Sequence, residues 1–251
     1  MVRIGTLCEN LPSSLTLSLH LESSEGLARK LTLNYYSRTR FISNLLPLLQ
    51  TATTTAPHFS RTLSILGAGH EDKINFDDLE LNNIFTAGRC AAHSIVMNDF
   101  MAEEFSQRQP ATTFIHSSPG IVNTNIIREL PIWARIITRA ATPLLSLFMV
   151  SAEETGARQL FIATSGLYPP AKPFENSPLA SGVAPPKGLT PMPGGNGVVG
   201  SGAYLINWNN EVTGKQTLLA EYRENGAGKT IWEHTMGIFQ RVEKVNRERA
   251  A

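Results

Sequence analysis

Three side chains with chemistry of their own lie near the middle of the chain. Cys90 and His93 fall in the stretch GRCAAHSIVMNDFMAEEF (88–105), and His116 ends TTFIH (112–116). A thiolate is a nucleophile, and a histidine titrates near neutral pH and can move a proton. A cysteine–histidine pair also needs a third group to orient the histidine and donors to hold an oxyanion. Cys90 and His93 stand at i, i+3 without an orienting group, so the ordinary reading of His93 is a helix-face residue packed under a sheet. Met97, Phe100 and Met101 read as core on the same helix. Cys8 and Cys90 are the only two cysteines and lack metal-ligand spacing, which favours a reducing, cytoplasmic setting and no metal site.

Two glycine-rich stretches imitate phosphate-binding loops. Gly195-Asn196-Gly197-Val198-Val199-Gly200 matches G-x-G-x-x-G, a pattern that carries meaning only between a strand and a helix N-terminus. A Pro-rich segment precedes it here and a strand is expected after it. Gly226-Ala227-Gly228-Lys229-Thr230 resembles the end of a P-loop, but Arg223 stands where the first glycine is required. Glycines at a helix–helix junction explain it better.

The elements that would position these residues alternate. Apolar residues at helical spacing predict helices over Leu27–Gln50, Thr86–Gln107, Pro131–Val150, Ala152–Thr164 and Thr230–Val245. Short apolar runs bounded by turn residues predict strands at Arg61–Leu66, Thr112–His116 and Ala203–Trp208. This alternation predicts an α/β fold, a doubly wound parallel sheet with helices on both faces. Residues 169–202, rich in Pro and Gly, are expected to form a long surface loop, placed over a cleft together with residues 124–150 to contact substrate.

The composition fits such a domain. The 251 residues are 42% hydrophobic and 17% charged, with a net charge of +1, so no strong field points to nucleic acid or an acidic membrane. Arg135, Arg139 and Pro143 interrupt the most apolar region, leaving it short of the ~20 apolar residues a spanning helix requires. The first residues carry no run that reads as a signal peptide.

One landmark is more specific. After TTFIH comes SSPGIVNT, in which Pro119, Gly120, Val122 and Thr124 match the PG-x-V-x-T motif of the short-chain dehydrogenase/reductase family. NYYSRTRFISNLLPLL resembles the helix before that family's catalytic strand, HFSRTLSILGAG the strand itself, and the helix from Thr86 its Tyr-Lys helix. YLINW and TIWEHTMGIF resemble its ending. The wording is similar to fungal members associated with secondary-metabolite biosynthesis. The likeness runs from about Leu15 to Val242, within a single domain at 15–251. Residues 1–14 form a non-matching segment.

The resemblance implies a partial Rossmann-like fold and NAD(P)-dependent redox chemistry between a carbonyl and an alcohol. The substrate would be a small, apolar molecule. Pro119, Gly120, Val122 and Thr124 would hold the nicotinamide end of NADP or NAD. Asn34 maps to the family's proton-relay asparagine, and Ser64 lies two residues before Leu66, the position that maps to the catalytic serine.

Three departures accompany it. The match begins after the strand, glycine-rich turn and helix that hold the adenosine phosphates. The Tyr-x-x-x-Lys pair, in which the lysine lowers the pKa of a tyrosine acid, falls on Ala87 and Ala91, and no tyrosine occurs between Ser37 and Leu167. Ser64 sits deeper in the strand than the family's serine. Three readings follow: an oxidoreductase; a truncated or non-catalytic relative that binds or scaffolds and takes no cofactor; and an isomerase or cyclase using His93 or His116. A sheet without its first strands leaves an edge exposed, so the chain is expected to be marginal alone and to form a homo- or hetero-oligomer.

Overall fold

The computed structural model describes residues 22–54, 59–122, 132, 149–174 and 181–250. Among the described residues three strands form a parallel sheet in the order β1 (Arg61–Ile65), β2 (Thr113–Ser117), β3 (Ala203–Ile206). Thr113, Phe114, Ile115, His116 and Ser117 are all buried, as expected for a strand covered on both faces. The register sets Ser64 beside His116 and His116 beside Leu205.

Strand alternation divides the core in two. Phe114, Ala203 and Leu205 point to one face and join the larger cluster. Ile115, Tyr204 and Ile206 point to the other and pack with Ile162, Leu167 and Tyr168.

The first helical segment is α1 (Arg29–Leu31), a π-helical stretch at Thr32–Tyr36, then α2 (Ser37–Thr54), which runs through Pro47. A π turn is wider than an α turn and often sits at a functional position. Here it turns two consecutive tyrosines inward. Tyr35 Oη meets Thr235 Oγ1 at 2.5 Å and Tyr36 Oη meets His234 Nε2 at 2.8 Å.

Helix α3 (Ala87–Arg108) begins where the Thr86 hydroxyl accepts from the Arg89 N–H, an N-cap. The helix is buried on nearly every side from Cys90 to Ser106, because α3 lies between the sheet and the C-terminal helix. Helix α4 (Ala152–Thr164), capped by Ser151, covers the opposite face. Helices α5 (Gln216–Glu224) and α6 (Ala227–Ala250) meet at Gly226, whose φ of +74° explains the glycine there. The P-loop-like stretch is therefore a helix–helix junction. The G-x-G-x-x-G stretch is a small hairpin, in which Gly194 N–H donates to Val198 O and Pro193 bridges Val199.

The loop expected over a cleft lies elsewhere. Its described parts pack at the N-terminal end of the strands. Lys172 N–H donates to Pro110 O, Ser106 Oγ to Ser201 O, and the Arg61 guanidinium to the carbonyls of Ile162, Ser165, Tyr168 and Ser181. Arg61 opens β1, so this charge ties Ser181 of the loop, and the Ile162–Tyr168 stretch before it, to the end opposite the Pro-Gly turn. Nearly all of the helix predicted at Pro131–Val150 falls outside the described residues. No helix among the described residues is long and apolar enough to cross a membrane.

Candidate functional site

In open α/β sheets ligands bind beyond the carboxyl ends of the strands. Three loops converge there: 66–71 after β1, 118–122 after β2, and 207–215 after β3. In the second, Ser118 N–H donates to Ile206 O, and Pro119 and Gly120 follow, both half-buried. Gly120 has φ +76°, and a Cβ there would lie 2.8 Å from Trp208 Cβ, so both the backbone and the space demand glycine. Val122 bridges Val150, and Thr124 lies outside the described residues. Arg158 stacks on the Trp208 indole at 4.7 Å and donates to its carbonyl, which fixes the surface under the Pro-Gly turn.

The loops after β1 and β3 are joined by Glu71, which is fully buried. Its carboxylate accepts from Gly69 N–H at 2.7 Å and from Lys215 N–H at 2.9 Å, and Lys215 Nζ donates to its carbonyl.

The residues proposed for acid–base work lie in different surroundings. Ala87 is half-buried and Ala91 exposed on the first turns of α3, and a methyl at either position transfers no proton. His93 is buried, and its Nε2 accepts from Asn75 N–H at 3.2 Å. Burial pushes it down to about 4. It faces the 75–79 loop. Cys90 is buried on the same helix and burial raises its pKa, which opposes thiolate chemistry.

His116 and Ser64 stand side by side, and Asp99 lies against His116, which invites comparison with a Ser-His-Asp triad. The hydrogen bonds exclude it. His116 Nδ1 donates to Asp99 Oδ1 at 2.5 Å, but His116 Nε2 accepts from Gly67 N–H at 3.2 Å. Ser64 Oγ accepts instead from Arg38 Nη1 at 3.4 Å. Burial pushes His116 down to about 3 and raises Asp99 well above the usual carboxylate range, with the charges of Glu71 and Glu103 adding to the rise. The imidazole is therefore neutral and held at both nitrogens. Asn34 sits in the π-helical stretch, half-buried, and its carbonyl accepts from Asn98 Nδ2 at 3.0 Å.

Glu71, Asp99, Glu103 and Asn98 were not singled out from the sequence. The only signal for them is the spacing of Asp99 and Glu103, one helical turn apart on α3. Glu103 is held by Arg223, whose guanidinium reaches both carboxylate oxygens.

A nicotinamide dinucleotide needs donors for two phosphates as well as a place for its ring. Among the described residues no G-x-G-x-x-G joins a strand to a helix, and no tyrosine or lysine stands on the first turns of α3. Pro119, Gly120 and Val122 stand at the carboxyl end of β2, where the resemblance expects the nicotinamide end of such a cofactor.

Comparison with known proteins accounts for this architecture. The chain is 35% identical to oxidoreductase AN1596 of Emericella nidulans over 236 residues, which is 92% of this chain and 67% of the relative. It is 32% identical to oxidoreductase andH of Emericella variicolor over 221 residues, 88% of this chain and 63% of the relative. It is 27% identical to the short-chain dehydrogenase/reductase SAT2 of Stachybotrys chartarum over 229 residues, 89% of this chain and 62% of the relative. No family model matches the chain. The chain belongs to the short-chain dehydrogenase/reductase family of oxidoreductases, among fungal members. It spans about two thirds of the length of the curated relatives it matches.

Proposed function

We propose that this chain is a short-chain-type oxidoreductase relative that keeps the nicotinamide edge of the fold and does not itself perform the redox step. In such a relative the full reaction would be NAD(P)-dependent interconversion of a carbonyl and an alcohol on a small, apolar secondary-metabolite intermediate, in the cytoplasm. The observation that carries the reading is the pair Ala87 and Ala91, methyl side chains at the positions that the resemblance gives to the acid and its lysine. His93 and His116 are buried and each has a nitrogen committed to a backbone N–H. The same burial argues against an isomerase or cyclase built on either histidine.

A second reading, redox catalysis with a bound cofactor, is favoured by the Pro-Gly turn and by the oxidoreductase names of the relatives. A titration of purified protein with NADPH and with NADH, followed by fluorescence or calorimetry, separates the two. We expect no saturable binding and no carbonyl reduction. Saturable binding with turnover of a ketone would establish the second reading instead.

A further inference from the structure

The two oxygens of Asp99 have different surroundings. Oδ1 accepts from His116 Nδ1 of β2. Oδ2 is fully buried and, among the described residues, meets no N–H or hydroxyl donor. The Glu71 carboxyl, from the loop after β1, stands within hydrogen-bonding reach of Asp99. Glu103 lies one turn further along α3, and Arg223 of α5 engages both of its oxygens. Lys215, from the loop after β3, turns its Nζ to the Glu71 carbonyl and to neither carboxyl.

Two carboxyls in contact away from water do not both carry a charge. The donors around them decide which one does. Glu71 Oε1 accepts from Gly69 N–H and Oε2 from Lys215 N–H, so two backbone donors stabilise it as the anion. Asp99 has one donor and one oxygen left over. A proton on that oxygen turns an orphaned acceptor into a donor to Glu71, and no polar atom of the pair is then unsatisfied. The pair sits beside the candidate site. The loops after β1 and β3 touch directly, since a Cβ at Gly69 would lie 2.4 Å from Thr213 Oγ1. The second loop carries Trp208, which packs against Gly120 of the Pro-Gly turn.

We propose that Asp99 carries a proton on Oδ2, shares it with the Glu71 carboxylate, and so latches the loops after β1 and β3 together beside the Pro-Gly turn. Loss of the proton sets two buried carboxylates against each other, with Glu103 behind them. Arg223 is already engaged by Glu103, and the His116 imidazole is neutral, so neither offsets the new charge. The Glu71 side chain then withdraws and the two loops part. The latch is closed in acid and opens as pH rises. It works whether or not the chain turns over a substrate.

Infrared spectroscopy of the purified chain tests the proton. Near pH 7, well above the ordinary aspartate value of about 3.9, the wild type should show the C=O stretch of a protonated carboxylic acid. Carbon-13 labelling of the aspartate carboxyls should shift that band, and Asp99→Asn should remove it. Hydrogen exchange tests the latch. Opening releases one proton, so the protection of the Gly69 and Lys215 amides relative to those of β2 should fall with rising pH. The fall is up to about tenfold per pH unit between about pH 5 and 9, until Asp99 is ionised. In Asp99→Asn the Nδ2–H donates to Glu71 in place of the acid, so the relative protection should stay flat. A missing band near pH 7, or a band indifferent to aspartate labelling or to Asp99→Asn, overturns the proposal. So does a relative protection at Gly69 and Lys215 that follows the same course in both proteins. Neither measurement reads NADPH binding, so the redox reading stands or falls separately.

Discussion

His116 and Asp99 form a buried pair in which the imidazole is held at both nitrogens. Nδ1 donates to the carboxyl across 2.5 Å and Nε2 accepts from Gly67 N–H. Both side chains are 1% exposed. The geometry fixes one tautomer and leaves the ring no free nitrogen with which to move a proton. A histidine that sequence reading offers as a catalytic acid is in the fold a tie between β2, α3 and the loop after β1.

The pair predicts an acid response with two opposing parts. The folded-state pKa of His116 is depressed, to about 3, and that of His93, to about 4. Their stabilising contribution is complete above the ordinary histidine value near 6.5 and is lost as pH falls toward those values. Asp99 is raised, so its contribution is present at low pH and lost as pH rises through its elevated value. Asp99→Asn keeps an acceptor for Nδ1–H and removes the second part alone. Its melting temperature should therefore fall more steeply than that of the wild type between about pH 6.5 and 4. Parallel melting curves for the two proteins across that window would refute the assignment.

Glu71 holds two loops whose residues stand 144 positions apart in the chain. Glu71→Ala leaves the N–H groups of Gly69 and Lys215 without their acceptor in a buried place. Each such loss costs about 1–3 kcal/mol, so the denaturation midpoint should drop by the equivalent of about 2–6 kcal/mol. Hydrogen exchange at Gly69 and Lys215 should quicken while β2 stays protected. Unchanged exchange at both positions would show that the carboxylate does not join the loops.

Gly120 should tolerate no side chain. Its φ of +76° and the 2.8 Å approach of Trp208 act separately. Gly120→Ala should cost about 1–3 kcal/mol from the backbone and the clash together. Trp208→Gly in the same chain, which removes the Cβ that a side chain at 120 would meet, should relieve only the clash. A double-mutant cycle in urea measures the coupling, and an interaction energy near zero would mean that the indole does not press on the Pro-Gly turn.

What the sequence disclosed follows from where each signal acts. Caps and turns are local, and Thr86, Ser151 and Gly226 mark helix ends within a few residues of the predicted ones. Strand and helix periods are local as well, so the three strands and the alternation could be read. The position of the 169–202 loop could not, since it depends on hydrogen bonds to distant residues, Lys172 to Pro110, Ser201 to Ser106 and Ser181 to Arg61. The burial of α3 on nearly all sides depends on α6, which returns over a hundred residues later. Glu71 gave no signal because its partner Lys215 lies in another loop.

Ala87 and Ala91 give the last test. Ala91 is exposed and Ala87 half-buried on the first turns of α3, so Ala87→Tyr with Ala91→Lys should change stability by no more than about 0.5 kcal/mol. The pair would restore an acid and the charge that lowers its pKa, worth about 10²–10⁴-fold for a substrate already in place. It supplies nothing to hold two phosphates, and the described residues supply no glycine turn for them. The double variant should thus fold like the wild type and still reduce no ketone with NADPH. Appearance of NADPH-dependent reduction would mean that the chain already binds the cofactor, and that two side chains are all that separate it from an active reductase.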